Sequence, residues 1–231
     1  LSTRERLASA GIPFSFPEEI GSGLAVFHPK GGIVRRIMED YSRQRHEQAD
    51  YEFVYSPHIG RAQLWQTSGH LDFFKDSMYA PIDIEGQQYY LKPMNCPFHL
   101  HIYKSRLRSY RELPLRFAER GTVYRFERSG TLHGLLRVRG FTQDDAHHIC
   151  TPEQLPDEVD FVLSFSLSML RAFGFHEIEA FLSTMPEKAI GDPEQWRVAE
   201  AVLERALERD GIPYALDEGG GAFSGPKIDL K

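Results

Sequence analysis

The chain has 231 residues, of which 41% are apolar and 26% charged, and its formal net charge is −6. This length suits one large domain or two small ones with a substantial core. The acidic balance argues against a protein that binds nucleic acid through bulk charge. No apolar run reaches 18 residues and the N-terminus has no apolar stretch, so we expect neither a membrane-spanning helix nor a signal peptide. Two cysteines are too few for a disulfide framework and fit a reducing cytoplasm.

The first half of the chain alternates helical and extended patterns. Residues 31–49 predict a helix with Ile33, Ile37, Met38 and Tyr41 on one face. The β-rich segment 51–57 predicts a strand that ends at Pro57, and residues 60–70 are helical again. Residues 81–93 predict a hairpin around Glu85–Gly86, and residues 96–110 predict a helix with Pro97 in its first turn.

The second half predicts two strands, 115–126 and 135–149, followed by a helix over 156–173 and a strand over 176–183. A helix over 194–211, closed by Gly211, precedes two extended segments around glycines. Strands that cluster together with helices outside them indicate an α+β fold, an antiparallel sheet flanked by helices. The sequence contains neither a GxGxxG nor a Walker A pattern, so the two common nucleotide-binding folds have no support.

The segment 121–150 concentrates the residues that suit chemistry. In the predicted strand 135–149, one face carries Arg137, Arg139, Phe141, Gln143, Asp145 and His147. Arg125 offers a planar donor fork for phosphate or carboxylate, Glu127 can accept from an exocyclic amine, and Phe141 offers a flat face to a base. The alternative is structural: Arg125 and Glu127 form a cross-strand ion pair, Phe141 belongs to the core, and the polar face is solvated.

A metal site is a second hypothesis. Cys96 lies at a predicted helix start, where a thiolate is favoured, and His147 ends the polar strand face. Two ligands are a weak signal for zinc, which needs three or four; further candidates are His99, His133, His148 and Cys150. A lone buried cysteine is more often an inert core residue.

Long runs of this sequence resemble the threonyl-tRNA synthetases, a class II aminoacyl-tRNA synthetase family. They are FHPKGGIVRRIMEDY, YEFVYSPHIGRAQLWQTSGHLDFF, YYLKPMNCPFHLHIYKS, RFAERGTVYRFERSGTLHGLLRVRGFTQDDAHHIC and DEGGGAFSGPKIDLK. KPMNCP and RVRGFTQDDAH are typical of the threonine enzyme. The resemblance covers nearly the whole chain from about Phe14. It implies a class II synthetase catalytic domain over residues 1–231 that contains motifs 1 and 2.

The resemblance also implies roles for individual residues. Arg125 would be the catalytic arginine, which contacts the α-phosphate of ATP and the amino-acid carboxylate. The other implied ATP contacts are Glu127, Arg137 and Phe141; the implied threonine contacts are Met94, Gln143 and Asp145; the implied zinc ligands are Cys96 and His147. Magnesium would accompany ATP, tRNA(Thr) would accept the threonyl group, and motif 1 would form a homodimer in the cytoplasm without any membrane.

The sequence departs from the family in two ways. The third zinc histidine, motif 3, and the editing and anticodon-binding domains are expected outside residues 1–231. Ser224 also stands where most family members have a tyrosine that reaches the threonine amine. We therefore favour part of an active threonine–tRNA ligase that does not aminoacylate tRNA on its own. The alternative hypotheses are a non-catalytic paralogue that acts as a binding or regulatory module, and a structural zinc module.

Overall fold

The computed structural model describes Gly11 and residues 13–231. Two compact units share the chain. The first consists of the described residues up to Ser109 together with Leu115–His147, and the second consists of Tyr110–Pro114 together with His148–Lys231. The first unit contains three small sheets and the second contains one, and each unit has its own buried cluster.

The first unit opens with a short antiparallel pair, β1 (Phe14–Ser15) and β2 (Val26–Phe27), followed by helix α1 (Pro29–Gln48). Helix α1 confirms the predicted helix, and Pro29 occupies its first turn as the helical φ of proline favours. Its buried residues are Gly31, Ser42 and His46. The predicted apolar face instead points away from the rest of the described chain: Ile33, Ile37 and Met38 are 52%, 57% and 46% exposed.

A three-stranded sheet in the first unit has the order β3 (Glu52–Phe53), β7 (Leu115–Tyr124), β8 (Gly140–Ile149). β3 runs parallel to β7. The Thr122 and Thr142 hydroxyls are hydrogen-bonded, and the amide of Arg125 donates to the carbonyl of Arg139. Residue numbers therefore rise along β7 as the numbers of their partners fall along β8, so the two strands are antiparallel.

A second three-stranded sheet has the order β4 (Ile59–Arg61), β6 (Gln87–Leu91), β5 (Ile82–Ile84). Its hairpin confirms the predicted turn, with Glu85 and Gly86 both at positive φ. Helices α2 (Ala62–Thr67) and α3 (His70–Phe73) pack beside it around the buried Trp65 and Tyr90. Helix α4 (Cys96–Lys104) follows, with Pro97 in its first turn as predicted, and it ends six residues before the predicted boundary.

The second unit packs two helices on a sheet of order β10 (Tyr214–Asp217), β9 (Ala180–Ser183), β11 (Lys227–Leu230). Helices α5 (Leu155–Ala172) and α6 (Pro193–Arg209) match the predicted spans within two residues. Their shared core with the sheet consists of Leu163, Leu167, Ala180, Leu182, Ala206 and Leu207. Helix α6 ends as its glycine predicts: Gly211 has φ +63°, and the amide of Ile212 donates to the carbonyl of Leu207.

Three predicted strand boundaries are wrong. The strand expected over 176–183 is limited to Ala180–Ser183. The strand expected from residue 135 begins at Gly140, because the amides of Leu136 and Arg137 both donate to the carbonyl of His133 and form a turn. The strand expected over 51–57 is limited to Glu52–Phe53. The Ser56 amide donates to the Glu119 carboxylate at 2.8 Å. Because this amide bonds a side chain, it does not extend the strand pairing beyond Phe53.

Candidate functional site

Arg125 occupies the centre of the polar region of the first unit. It is the first residue after β7, which ends one residue earlier, and its amide donates to the carbonyl of Arg139. Its guanidinium carbon lies 5.3 Å from the ring centroid of Phe141 and 5.8 Å from that of Phe74. Nε donates to the carbonyl of Pro93 at 3.2 Å. Two aromatic rings and a carbonyl thus fix the direction of a planar cation.

Several charged or ionisable groups surround this guanidinium. Burial lowers the pKa of Arg125, and the nearby Glu127, Cys96 and Asp145 act in the opposite direction. The same set acts on the Cys96 thiol: burial, together with the Asp145 carboxylate, raises its pKa to about 11, although Arg125 opposes this. The fold therefore brings four of the predicted site residues, which span positions 96 to 145 in the sequence, into one electrostatic neighbourhood.

The loop between β7 and β8 holds a second part of the site. Glu127 accepts from Nε of Arg137 at 3.0 Å, and its own carbonyl accepts from Nε of Arg139 at 2.9 Å. The strand predicted over 115–126 ends at Tyr124, so Arg125 and Glu127 both lie in the loop after β7. Glu127 pairs with Arg137, which is more than half exposed, and not with Arg125 as the structural alternative supposed. A surface ion pair of this kind contributes little stability, so Arg137 can leave Glu127 for an anionic ligand at low cost.

Asn95, the residue before α4, orients the Asp145 side chain. The side-chain amide of Asn95 donates to its carboxylate at 2.9 Å, and Asn95 itself is fully buried. Asn95 packs directly on Gly121, where an added Cβ would lie 2.1 Å from the Asn95 amide nitrogen. The other amide atom of Asn95, Oδ1, is buried without a hydrogen-bond partner among the described residues. A glycine on β7 thus makes room for the side chain that orients Asp145.

Met94 and Gln143 are the other residues predicted to bind threonine. The Met94 sulfur lies 3.3 Å from Nε2 of His70, a buried imidazole whose pKa is lowered by burial. Gln143 lies on β8 between Phe141 and Asp145 and points to the same side of the strand as they do, as the two-residue period requires. Of the three predicted threonine residues, Asp145 is the one that acts electrostatically on Arg125.

Cys96 and His147 offer a sulfur and a nitrogen donor, a set that zinc prefers. Cys96 begins α4, and His147 lies two residues beyond Asp145 on the same face of β8. A neighbouring divalent cation would stabilise the thiolate that burial and Asp145 disfavour. Across Gly11 and residues 13–231, no three His, Cys, Asp or Glu side chains form a metal-holding group. Cys96 and His147 thus have the donor chemistry of zinc ligands, while the described residues form no complete metal site.

The other predicted metal-site residues have different surroundings. His133 is exposed in the loop before β8. His148 pairs with Glu158 at 2.6 Å in the second unit. Beside that pair, burial raises the pKa of the Cys150 thiol. His99 uses both ring nitrogens, one toward Glu119 and one toward His147.

The sequence did not predict a buried cluster of charged and polar residues that contacts His147 through His99. Glu119 accepts from Nε2 of His99 at 2.9 Å and from the Ser56 hydroxyl at 2.9 Å, and it lies 3.4 Å from the Lys92 ammonium. Lys92 and His99 are 0% exposed and Glu119 is 3% exposed. One sequence feature could have indicated part of this cluster. His99 follows Cys96 by three residues, so the two side chains share one face of α4.

Comparisons with known proteins place the chain in a family. Residues 79–231 match the class II tRNA synthetase core domain of the G, H, P, S and T group. The chain is 57% identical over 94% of its length to a threonine–tRNA ligase of Sulfurihydrogenibium sp. and 55% identical to that of Aquifex aeolicus. It spans about a third, 34%, of the length of these relatives.

Solved structures agree. The RNA-binding domain of threonyl-tRNA synthetase from Cryptosporidium parvum is 41% identical with a TM-score of 0.90, covering 94% of this chain and 54% of that one. A putative threonyl-tRNA synthetase from Aeropyrum pernix is 35% identical with a TM-score of 0.83, covering 92% and 49%. Among the described residues, no helix is both long and apolar enough to cross a membrane. The chain therefore belongs to the class II aminoacyl-tRNA synthetase core family and resembles its threonyl-tRNA synthetases over nearly its whole length.

Proposed function

We propose that this chain carries the threonine- and ATP-binding part of a threonine–tRNA ligase, which activates threonine as threonyl-adenylate and transfers it to tRNA(Thr). One observation carries the proposal. Arg125 contacts two aromatic rings and interacts electrostatically with Glu127, Asp145 and Cys96. A fixed cation flanked by an aromatic face and acidic groups suits a ligand that joins a phosphate, a base and an amine.

The reaction requires positioning and charge stabilisation more than covalent help from the protein. A carboxylate oxygen of threonine attacks the α-phosphorus of ATP, and the bond from that phosphorus to the bridging oxygen breaks as pyrophosphate leaves with the electron pair. Arg125 would donate to both the carboxylate and the α-phosphate and hold them in line. Its contacts with Phe74 and Phe141 restrict the guanidinium before substrates arrive.

The ATP part of the proposed site is the loop after β7. Phe141 would stack on adenine and Glu127 would accept from its exocyclic amine. Arg137, now paired with Glu127 and largely exposed, would move to the phosphates. Magnesium would enter with ATP and neutralise the departing pyrophosphate.

The threonine part combines Met94, Gln143 and Asp145. The Asp145 carboxylate, oriented by Asn95, would accept a hydrogen bond from the threonine amine. Cys96 and His147 would hold zinc together with a donor outside the described residues, and the metal would supply Lewis-acid binding of the threonine amine and hydroxyl. Such a site rejects the isosteric valine, because valine leaves the hydroxyl position unfilled.

The exposed apolar face of α1 supports a homodimer. Ile33, Val34, Ile37 and Met38 are each 46–57% exposed and adjacent on one helix, an unusual concentration for a monomer surface. We propose that this face packs against a second copy. The free cysteines Cys96 and Cys150 accord with the cytoplasmic location that we propose for the enzyme.

Calorimetry with a non-hydrolysable threonyl-adenylate analogue tests the proposal on the 231-residue chain. We expect binding that weakens roughly 10- to 100-fold in Arg125→Ala, because a charge-assisted hydrogen bond is lost. Arg128→Ala, an exposed arginine in the same loop, is the matched control and should bind normally. Equal affinities for the three proteins, or no binding by the wild-type chain, would contradict the proposal.

A regulatory module without catalysis is the second candidate, and Ser224 favours it. This short, exposed side chain stands where the resemblance leads one to expect a tyrosine. Such a module predicts that the analogue binds with no preference between threonyl and valyl forms. The ligase predicts a clear preference for the threonyl form, which Cys96→Ser abolishes.

A further inference from the structure

Strand β8 carries two sets of side chains on opposite faces. Phe141, Gln143 and Asp145 lie on one face and belong to the proposed site. Thr142 and Asp144 point to the other face, because successive side chains of a strand alternate, and there they bond to helix α1. The proposed site and α1 therefore lie on opposite faces of one strand.

The Asp144 carboxylate is the centre of the contact with α1. The Ser42 hydroxyl donates to it at 2.5 Å, and the same hydroxyl accepts from Nη2 of Arg120 at 2.6 Å. Arg120, which lies on β7, also forms an ion pair with Asp144. On α1, Nε2 of His46 lies 3.3 Å from the same carboxylate. One carboxylate thus joins α1, β7 and β8.

The Thr142 hydroxyl makes a second link between the same three elements. Nη2 of Arg35, on α1, donates to this hydroxyl at 2.8 Å, and the hydroxyl of Thr122, on β7, lies 2.9 Å from it. Nε of Arg35 donates to Glu39 at 2.7 Å, so the direction of the guanidinium is fixed within the helix. Helix α1 therefore binds β8 at two positions that alternate with the residues of the proposed site.

These contacts between α1 and the sheet are polar. Ser42 and His46 are buried, whereas the apolar side chains of Ile33 and Ile37 on the same helix are exposed. Apolar contacts have no preferred direction, but hydrogen bonds weaken steeply when their distance and angle change. The polar contacts therefore fix the position of β8 more narrowly than apolar packing would.

We infer that Thr142 and Asp144 are positioning residues, through which α1 orients Phe141 and Asp145 for the ligand of the proposed site. They act through the backbone of β8, because the residues on either side of them face the site. A misplacement of about 1 Å in a positioned group can reduce its effect roughly 100-fold. The ligand in this inference rests on the proposed function, whereas the effect of α1 on Asp145 is a property of the described chain alone.

The first test is calorimetry of the 231-residue chain with the non-hydrolysable threonyl-adenylate analogue. Ser42→Ala removes the hydroxyl between Asp144 and Arg120 without weakening the helix, and Thr142→Val removes the hydroxyl that binds α1. We expect each to bind the analogue roughly 10-fold more weakly. Thr142→Ser keeps the hydroxyl and should bind as the wild type does. Arg43→Ala is the control, because this exposed residue pairs within α1, and it should also bind normally.

The second test is a proton–nitrogen correlation spectrum of the ligand-free, ¹⁵N-labelled chain. The side-chain amide of the fully buried Asn95 donates to Asp145 at 2.9 Å, so its signals report the orientation of that carboxylate. We expect these signals to shift in Ser42→Ala and Thr142→Val but not in Thr142→Ser or Arg43→Ala. A loss of global stability alone would not move the signals of a chain that is still folded.

The outcomes separate the inference from the proposed function. If the wild type binds the analogue and Ser42→Ala and Thr142→Val bind it equally well, the positioning role is refuted and the proposed function stands. If the wild type does not bind the analogue, the proposed function fails and the Asn95 signals decide. A shift in both variants then supports the orientation of Asp145 by α1, and unchanged signals refute it.

Discussion

Glu119 provides the sharpest stability prediction, because its carboxylate is buried among Lys92, His99 and Ser56. Its pKa lies at about 2, against an ordinary 4.5. At 1.36 kcal/mol per pH unit this displacement corresponds to roughly 3 kcal/mol of folding free energy. Loss of one partner of a buried ion pair independently predicts roughly 3–5 kcal/mol. We therefore expect Glu119→Gln to lower the free energy of unfolding by about 3 kcal/mol at pH 7.

The pH dependence of this difference follows from the direction of the shift. Because the folded pKa is depressed, the contribution is complete above about pH 5 and is lost as the pH falls through 4.5 toward 2, with roughly half gone by pH 3. Urea unfolding of the wild type and Glu119→Gln at pH 7 and pH 3 measures this directly. The exposed Glu52→Gln, on the neighbouring strand, is the control and should cost little. A gap below 1 kcal/mol at pH 7, or one of equal size at pH 3, would refute the reasoning.

Three further predictions concern packing and assembly. Gly121→Ala places a methyl group 2.1 Å from the buried Asn95 amide nitrogen, so urea unfolding should show a loss of roughly 1–3 kcal/mol of stability. The adenylate analogue should also bind more weakly, because Asn95 orients Asp145; unchanged binding would show that Asn95 does not support the site. Gly31→Ala meets the carbonyl oxygen of Pro13 at 1.9 Å, so unfolding should again be easier by roughly 1–3 kcal/mol despite the better helix propensity of alanine. Ile37→Glu should convert a dimer to a monomer in sedimentation equilibrium, and a monomeric wild type would contradict the proposed homodimer.

Local signals predicted most of the fold. Pro97 in the first turn marked the start of α4 and Gly211 marked the end of α6, because those residues favour the backbone angles found there. The end of α6 at Gly211 is the clearest case. Alternation was less reliable. The alternation at 135–139 resembles a strand, yet the amides of Leu136 and Arg137 both donate to the carbonyl of His133 and form a turn. The pattern does not reveal that this local turn competes with strand pairing.

The candidate site was predicted residue by residue from the family resemblance, but its support was not. His99, Glu119 and Lys92 have ordinary structural roles when considered singly, and the bonds among them join positions 20 and 27 residues apart. Their importance depends on complete burial, which a sequence pattern does not report for single polar residues. The same is true of Asn95, whose place under Asp145 requires a glycine on the neighbouring strand.

The central claim is that Arg125, Phe141, Asp145 and Cys96 line one site for threonyl-adenylate. A crystal structure of the 231-residue chain with the non-hydrolysable analogue tests it most directly. We predict the adenine on Phe141, the phosphate mimic on Arg125, the threonyl amine at Asp145, and the threonyl hydroxyl toward Cys96. An analogue bound elsewhere, or one whose threonyl end makes no contact with Asp145 and Cys96, would contradict the account.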